Sequence, residues 1–128
     1  KEEEVEFFCY KTTGGIISSE TDNDLETVKN KLNKNIHSEE NIKVKKLKTK
    51  TLFQVLKDNQ APFKIDFLSL DTEGSEVSTL RNFPFNKYSF KIMVIASATE
   101  ELDNILIKNG YKKMKTDDTD TFYLNNNF

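Results

Sequence analysis

Two short, almost uninterrupted apolar runs constrain this chain most: IDFLSL at residues 65–70 and KIMVIA at residues 91–96. Each is short for a helix and too continuously apolar for a strand with one wet face. Runs of this kind fit strands covered on both faces, the usual setting of a parallel sheet. Residues 76–80 open a helix between them, so the order is strand, helix, strand, and such a crossover joins parallel neighbours. A second helix follows. Thr99 is its N-cap, Glu100 and Glu101 lie in the first turn, Leu102, Ile105 and Leu106 share one face, and Asn109-Gly110 is the stop. Residues 111–114 and 121–124 read as a closing antiparallel pair around a polar turn at 116–120. The pattern predicts the carboxyl half of a three-layer α/β domain, mostly parallel, with an antiparallel closing strand pair.

The region upstream is less regular. Residues 5–10 (VEFFCY) read as a strand leading to a turn at Gly14-Gly15, with Ile16-Ile17 as a short extension. Residues 22–40 are polar and carry one weak helical stripe, Leu25, Val28, Leu32 and Ile36. IKVKKL (42–47) reads as a short strand with a lysine-covered face, a guarded edge rather than a polyanion footprint. TLFQVL (51–56) reads as a helix with Thr49 or Thr51 as N-cap and Leu52, Val55 and Leu56 on one face. Ala61-Pro62 ends it. A length of 128 residues suits one domain, with 1–41 an irregular strand and loop entry and 42–128 the α/β core.

Composition removes several function classes. The formal charge is −2, and Arg81 is the single arginine among 19 basic residues, so nothing here reads nucleic acid or an anionic membrane. One cysteine, Cys9, excludes an internal disulfide and a cysteine zinc site, and suits a reducing, cytoplasmic setting. His37 is the sole histidine and sits in a polar, Asn-rich stretch, so no multi-His metal centre is expected. The chain starts with Lys1 rather than Met and shows no signal peptide, which reads as a piece of something longer.

One segment stands out as a carrier of chemistry: Asp71-Thr72-Glu73-Gly74-Ser75-Glu76, directly after a buried strand and before a helix. In open α/β sheets, ligands bind beyond the carboxyl ends of the strands. An acid there can bind a hydroxyl or amine, hold a cation, or act as general base. Gly74 permits an unusual backbone angle. Helix capping is the competing role for Glu73 and Glu76, and Ser75 is a further cap candidate; Asp71, straight after the apolar run, has the strongest claim to function. A divalent cation on Asp71, Glu73 and Glu76 is chemically permissible but lacks the spacing of a known loop motif.

Residues 65–85 (IDFLSLDTEGSEVSTLRNFPF) resemble the signature of the FkbM-type methyltransferases: an apolar strand, then Asp-x-Glu-Gly-x-Glu, then Leu and an amide-containing turn. The flanks TLFQVLKDNQ (51–60), KIMVIA (91–96), ILIKNGYKKMKTDDTDTFYLN (105–125) and GGIISS (14–19) are similar to the family in the same order. The resemblance implies a partial Rossmann-like, class I methyltransferase-like fold. It implies methyl transfer from S-adenosylmethionine to a hydroxyl oxygen of a sugar or other small metabolite. It assigns Asp71 and Glu73 as catalytic residues and Gly74 and Glu76 as substrate-binding ones. The chain has no glycine-rich strand-to-helix loop for the cofactor, so the resemblance covers the family's carboxyl half. Ala96-Ser97-Ala98 also stands where similar proteins carry a glutamate. The partners implied are a small-molecule acceptor and either a missing amino-terminal half or a second copy of the chain. The alternative is a non-catalytic α/β interaction or oligomerisation module.

Overall fold

The computed structural model describes residues 3–10, 13–19, 21, 24, 26–28, 30 and 43–128. The chain divides into two compact units, Lys1–Lys50 and Thr51–Phe128.

The first unit is a three-stranded antiparallel sheet of β1 (Glu4–Tyr10), β2 (Thr13–Ile16) and β3 (Lys43–Lys48), in the order β2-β1-β3. Gly14 and Gly15, expected in a turn, lie inside β2 instead. They pair with Cys9 and Phe8 of β1, and a Cβ on Gly14 would sit 2.8 Å from the Phe8 carbonyl oxygen and 2.9 Å from the Phe7 ring, so glycine is needed there for the close approach. The lysine-rich strand is an edge, as its sequence predicts, but it pairs with β1 rather than joining the α/β sheet. Residues 26–28 are helical, and Asp24 caps them by accepting from the Thr27 N–H at 2.6 Å, which holds its carboxyl below the usual range. Val28 of the predicted stripe is buried. Leu25, Leu32, Ile36 and His37 lie outside the described residues.

The second unit is a four-stranded sheet with three helices. Thr51 caps α1 (Leu52–Asp58), its hydroxyl accepting from the Gln54 N–H at 3.1 Å. Then come β4 (Lys64–Leu70), α2 (Glu76–Arg81), β5 (Ser89–Ala96), α3 (Glu100–Lys108), β6 (Tyr111–Asp117) and β7 (Asp120–Asn125). The order is β4-β5-β7-β6, and only β4 with β5 is parallel. The expectation of a mostly parallel sheet is thus corrected. β7 inserts between β5 and β6, and a hairpin strand placed there must run antiparallel to both neighbours.

Three layers were expected because β4 and β5 are apolar at nearly every position. The register shows two faces of different fate. Leu68 aligns with Met93 and Tyr123, and Leu70 with Ile95 and Thr121. Leu70, Met93, Ile95, Tyr123 and Thr121 are buried, with Leu80 from α2 and Leu102 and Leu106 from α3 completing the core. The alternate row, Phe67–Ile92–Leu124, points the other way. Phe67 is 56% exposed and Ile92 38%. An apolar run therefore misled: continuous hydrophobicity marks what a strand could bury, not what covers it here.

Aromatic rings seal the end of the core where β5 begins. Phe83 stands 5.0 Å from Phe85 and 5.5 Å from Phe90, and the Tyr111 hydroxyl oxygen accepts from the Phe90 N–H at 3.0 Å. On the far side, Asp103 of α3 accepts from the Tyr123 hydroxyl at 2.5 Å and from Lys113 Nζ at 2.8 Å, tying the helix to the β6–β7 hairpin.

Candidate functional site

The site candidate is built by strand direction. Because β4 and β5 are parallel, with Leu70 opposite Ile95, both chains leave the sheet at the same edge. Asp71 is the first residue past β4 and is exposed. β7 starts at this edge too, with Asp120 opposite Ala96, so the β6–β7 turn lies here as well. The Ser97 N–H donates to the Thr119 carbonyl at 2.9 Å and fixes that turn beside the end of β5. Asp117, Asp118 and Asp120 thereby join Asp71 and Glu73 along one edge, all exposed. Sequence reasoning read residues 116–120 only as a polar turn. The signal it passed over was parity, since a hairpin beside β5 must place its turn at the carboxyl end of β5.

Backbone conformation is unusual at the same edge. Glu73 (φ 53°), Gly74 (φ 95°), Ser97 (φ 49°) and Asp118 (φ 55°) are all left-handed. The glycine was expected to take such an angle, and it does. For the three others the conformation costs on the order of 1 kcal/mol each, and strain of this kind concentrates where ligands are handled.

Glu76 is the buried member of the acidic segment, 5% exposed. Its Oε1 accepts from the Thr72 N–H at 2.6 Å and from the Thr72 hydroxyl at 3.0 Å. The side chain thus reaches back from the first turn of α2 and closes the loop on itself. Ser75, a candidate cap, makes no side-chain cap bond; its hydroxyl donates to the Thr72 carbonyl at 3.0 Å. Glu76→Ala leaves a Thr72 amide without its acceptor inside the loop. It is expected to cost about 1–3 kcal/mol in a urea titration, whereas Glu76→Gln, which keeps an acceptor oxygen, costs less.

The segment therefore separates into roles by geometry. Asp71 and Glu73 face solvent, Gly74 supplies the bend, and Glu76 braces. Among the described residues no three Asp, Glu, His or Cys side chains are grouped to hold a metal ion, so the cation alternative on Asp71, Glu73 and Glu76 finds no support. A separate groove of about 480 Å³ lies in the first unit, lined by Glu6, Ile17, Ser18, Ser19, Asp24 and Glu26.

A parallel strand pair that releases an acidic, glycine-bent loop into a helix defines an α/β protein whose candidate site lies at the strand ends. The family model of the methyltransferase FkbM domain matches residues 1–113, and the chain belongs to that family. Neither the curated proteins nor the solved structures yield a match. No helix among the described residues is long and apolar enough to cross a membrane.

The family generally uses S-adenosylmethionine. The described residues do not fit that donor by themselves. Its amino-acid end needs a turn of bare backbone N–H groups opening a helix. Gly14-Gly15 is locked inside a hairpin, and the turn between β4 and α2 offers carboxylates, with the Thr72 amide already taken by Glu76.

Proposed function

We propose that this chain is the acceptor-side, carboxyl-terminal part of an FkbM methyltransferase, acting on a hydroxyl of a neutral sugar or other small metabolite. The observation that carries the reading is the exposed Asp71 at the carboxyl end of a parallel strand pair, held there by a loop that Glu76 closes from beneath. Asp71 accepts the proton of the acceptor hydroxyl, Glu73 holds a neighbouring hydroxyl, and Gly74 gives the acceptor clearance from the backbone. Asp118 and Asp120, beside an Asp117 that is paired with Lys115, repel anions, so phosphorylated acceptors are disfavoured. The donor-binding part comes from another segment or polypeptide, and S-adenosylmethionine supplies the methyl group once bound there. A free cysteine, Cys9, suits the reducing cytoplasm.

Calorimetric titration of this chain with S-adenosylmethionine tests the division of labour. No binding in the micromolar range is expected. Micromolar binding would overturn the assignment of this chain to the acceptor side alone.

A further inference from the structure

We propose that the Asn109-Gly110 junction is a self-modification site that the last turn of α3 holds closed: the asparagine deamidates when that turn opens and stays intact while it is wound. The inference goes beyond the methyl-acceptor reading and does not depend on it.

The chemistry belongs to the residue pair. Of the four glycines, only Gly110 follows an asparagine. A backbone nitrogen attacks the preceding side-chain amide most easily when its own residue has no Cβ to obstruct the approach. In that step the Gly110 nitrogen loses its proton to solvent hydroxide and bonds to Asn109 Cγ. The Cγ–Nδ2 bond breaks and ammonia leaves, solvent supplying its third proton. Water then opens the five-membered imide. Opening at Cγ gives aspartate, and opening at the backbone carbonyl gives isoaspartate. Asn109 is exposed, so water and hydroxide reach it.

The fold opposes each part of that step. Asn109 is the C-cap of α3 with ψ 16°, which turns the Gly110 nitrogen away from the Asn109 side chain, whereas the imide ring needs both on one side. The Gly110 N–H, whose proton must leave, donates to the Ile107 carbonyl at 3.1 Å. Asn109 Nδ2, the leaving group, donates to the Ile105 carbonyl at 2.8 Å. Past the junction, the Gly110 carbonyl accepts from the Asn126 N–H at 3.0 Å, next to the pairing of Tyr111 with Asn125. Ring closure therefore requires the turn to open first, and helix ends open far more readily than a core does.

Conversion then keeps the turn from closing as before. Aspartate offers the Ile105 carbonyl no donor and adds negative charge at the negative end of the helix dipole. Isoaspartate adds a carbon to the main chain, so Gly110 no longer meets Ile107 and Asn126 together.

Incubation of the full chain in neutral buffer and in denaturing urea, followed by peptide mapping by mass spectrometry, tests the proposal. In urea, Asn109 is expected to convert ahead of every other asparagine. In native buffer its conversion should be at least about tenfold slower. Asn109→Asp, which is one of the two products, should melt about 4–8 °C below the parent when followed by circular dichroism. Equal rates in the two buffers, conversion in urea led by another asparagine, or an Asn109→Asp chain that melts with the parent overturns the proposal. None of these readouts involves a methyl donor or acceptor, so this inference and the proposed function fail separately.

Discussion

Tyr123→Ala is expected to remove about 3–5 kcal/mol from the second unit. A unit of this size carries roughly 4–12 kcal/mol in total, so the variant should be largely unfolded or close to it. Tyr123 is the largest of the fully buried side chains. Its ring projects from β7 into the core under α3, and its hydroxyl donates to Asp103, which also holds Lys113. Tyr123→Phe separates the two contributions. It keeps the ring and removes one hydrogen bond to a charged group, worth about 1.5–3 kcal/mol. The pH dependence carries a distinct signature. Burial works to raise the Asp103 carboxyl, but the hydrogen bonds from Lys113 and Tyr123 and the lysine charge outweigh it, so the group titrates below its usual value. Its contribution is therefore complete above the ordinary carboxylate range and lost as pH falls through the depressed value. Burial, and then the bond to Asp103, push the Tyr123 phenol well above its usual value. That contribution is complete below the ordinary phenol range and lost as pH rises beyond it. Tyr123→Phe should flatten the alkaline limb and shallow the acid one. Thermal melts followed by circular dichroism from acid to alkaline pH read both limbs. An unchanged acid limb in Tyr123→Phe would remove the tyrosine from any part in holding Asp103.

The elements that sequence located well are those whose signals are local. Thr51 and Thr99 cap their helices through the hydroxyl, as their positions before apolar faces require. Gly110 takes the left-handed angle of a helix stop, and the closing hairpin is antiparallel. What went astray depends on partners distant in sequence. The IDFLSL and KIMVIA runs state that both faces of β4 and β5 are apolar, yet Leu70, Met93 and Ile95 are covered while Phe67 and Ile92 stay exposed. Gly14-Gly15 has turn composition, but it pairs with Cys9 and Phe8 of β1, and the glycine at 14 serves the close approach of Phe7 and Phe8 rather than a turn. The acidic segment was legible as a unit, while the division of labour within it was not. Spacing cannot tell an exposed Glu73 from a buried Glu76, because that difference is set by how the loop folds back on Thr72.

Asp71→Asn should lower methyl transfer by about 10²–10⁴-fold in the protein that also carries the donor-binding part, the range typical of a lost general base. Asparagine has nearly the same shape and can still accept a hydrogen bond, but it cannot take up the acceptor's proton. The loss should therefore appear in kcat, with KM changed little. Stability should hardly move, since Asp71 is exposed and no described residue donates a hydrogen bond to it. Glu76→Ala provides the contrast. It loosens the loop that presents Asp71, so it should reduce stability and activity together, and Glu76→Gln should recover most of both. Transfer of a labelled methyl group from S-adenosylmethionine to a neutral polyhydroxylated acceptor measures each variant. An Asp71→Asn protein within a few-fold of the parent would take the proton-accepting role away from this residue. If Glu73→Gln then carried the larger loss, the base would lie two residues further along the same loop, in the strained backbone that Gly74 completes.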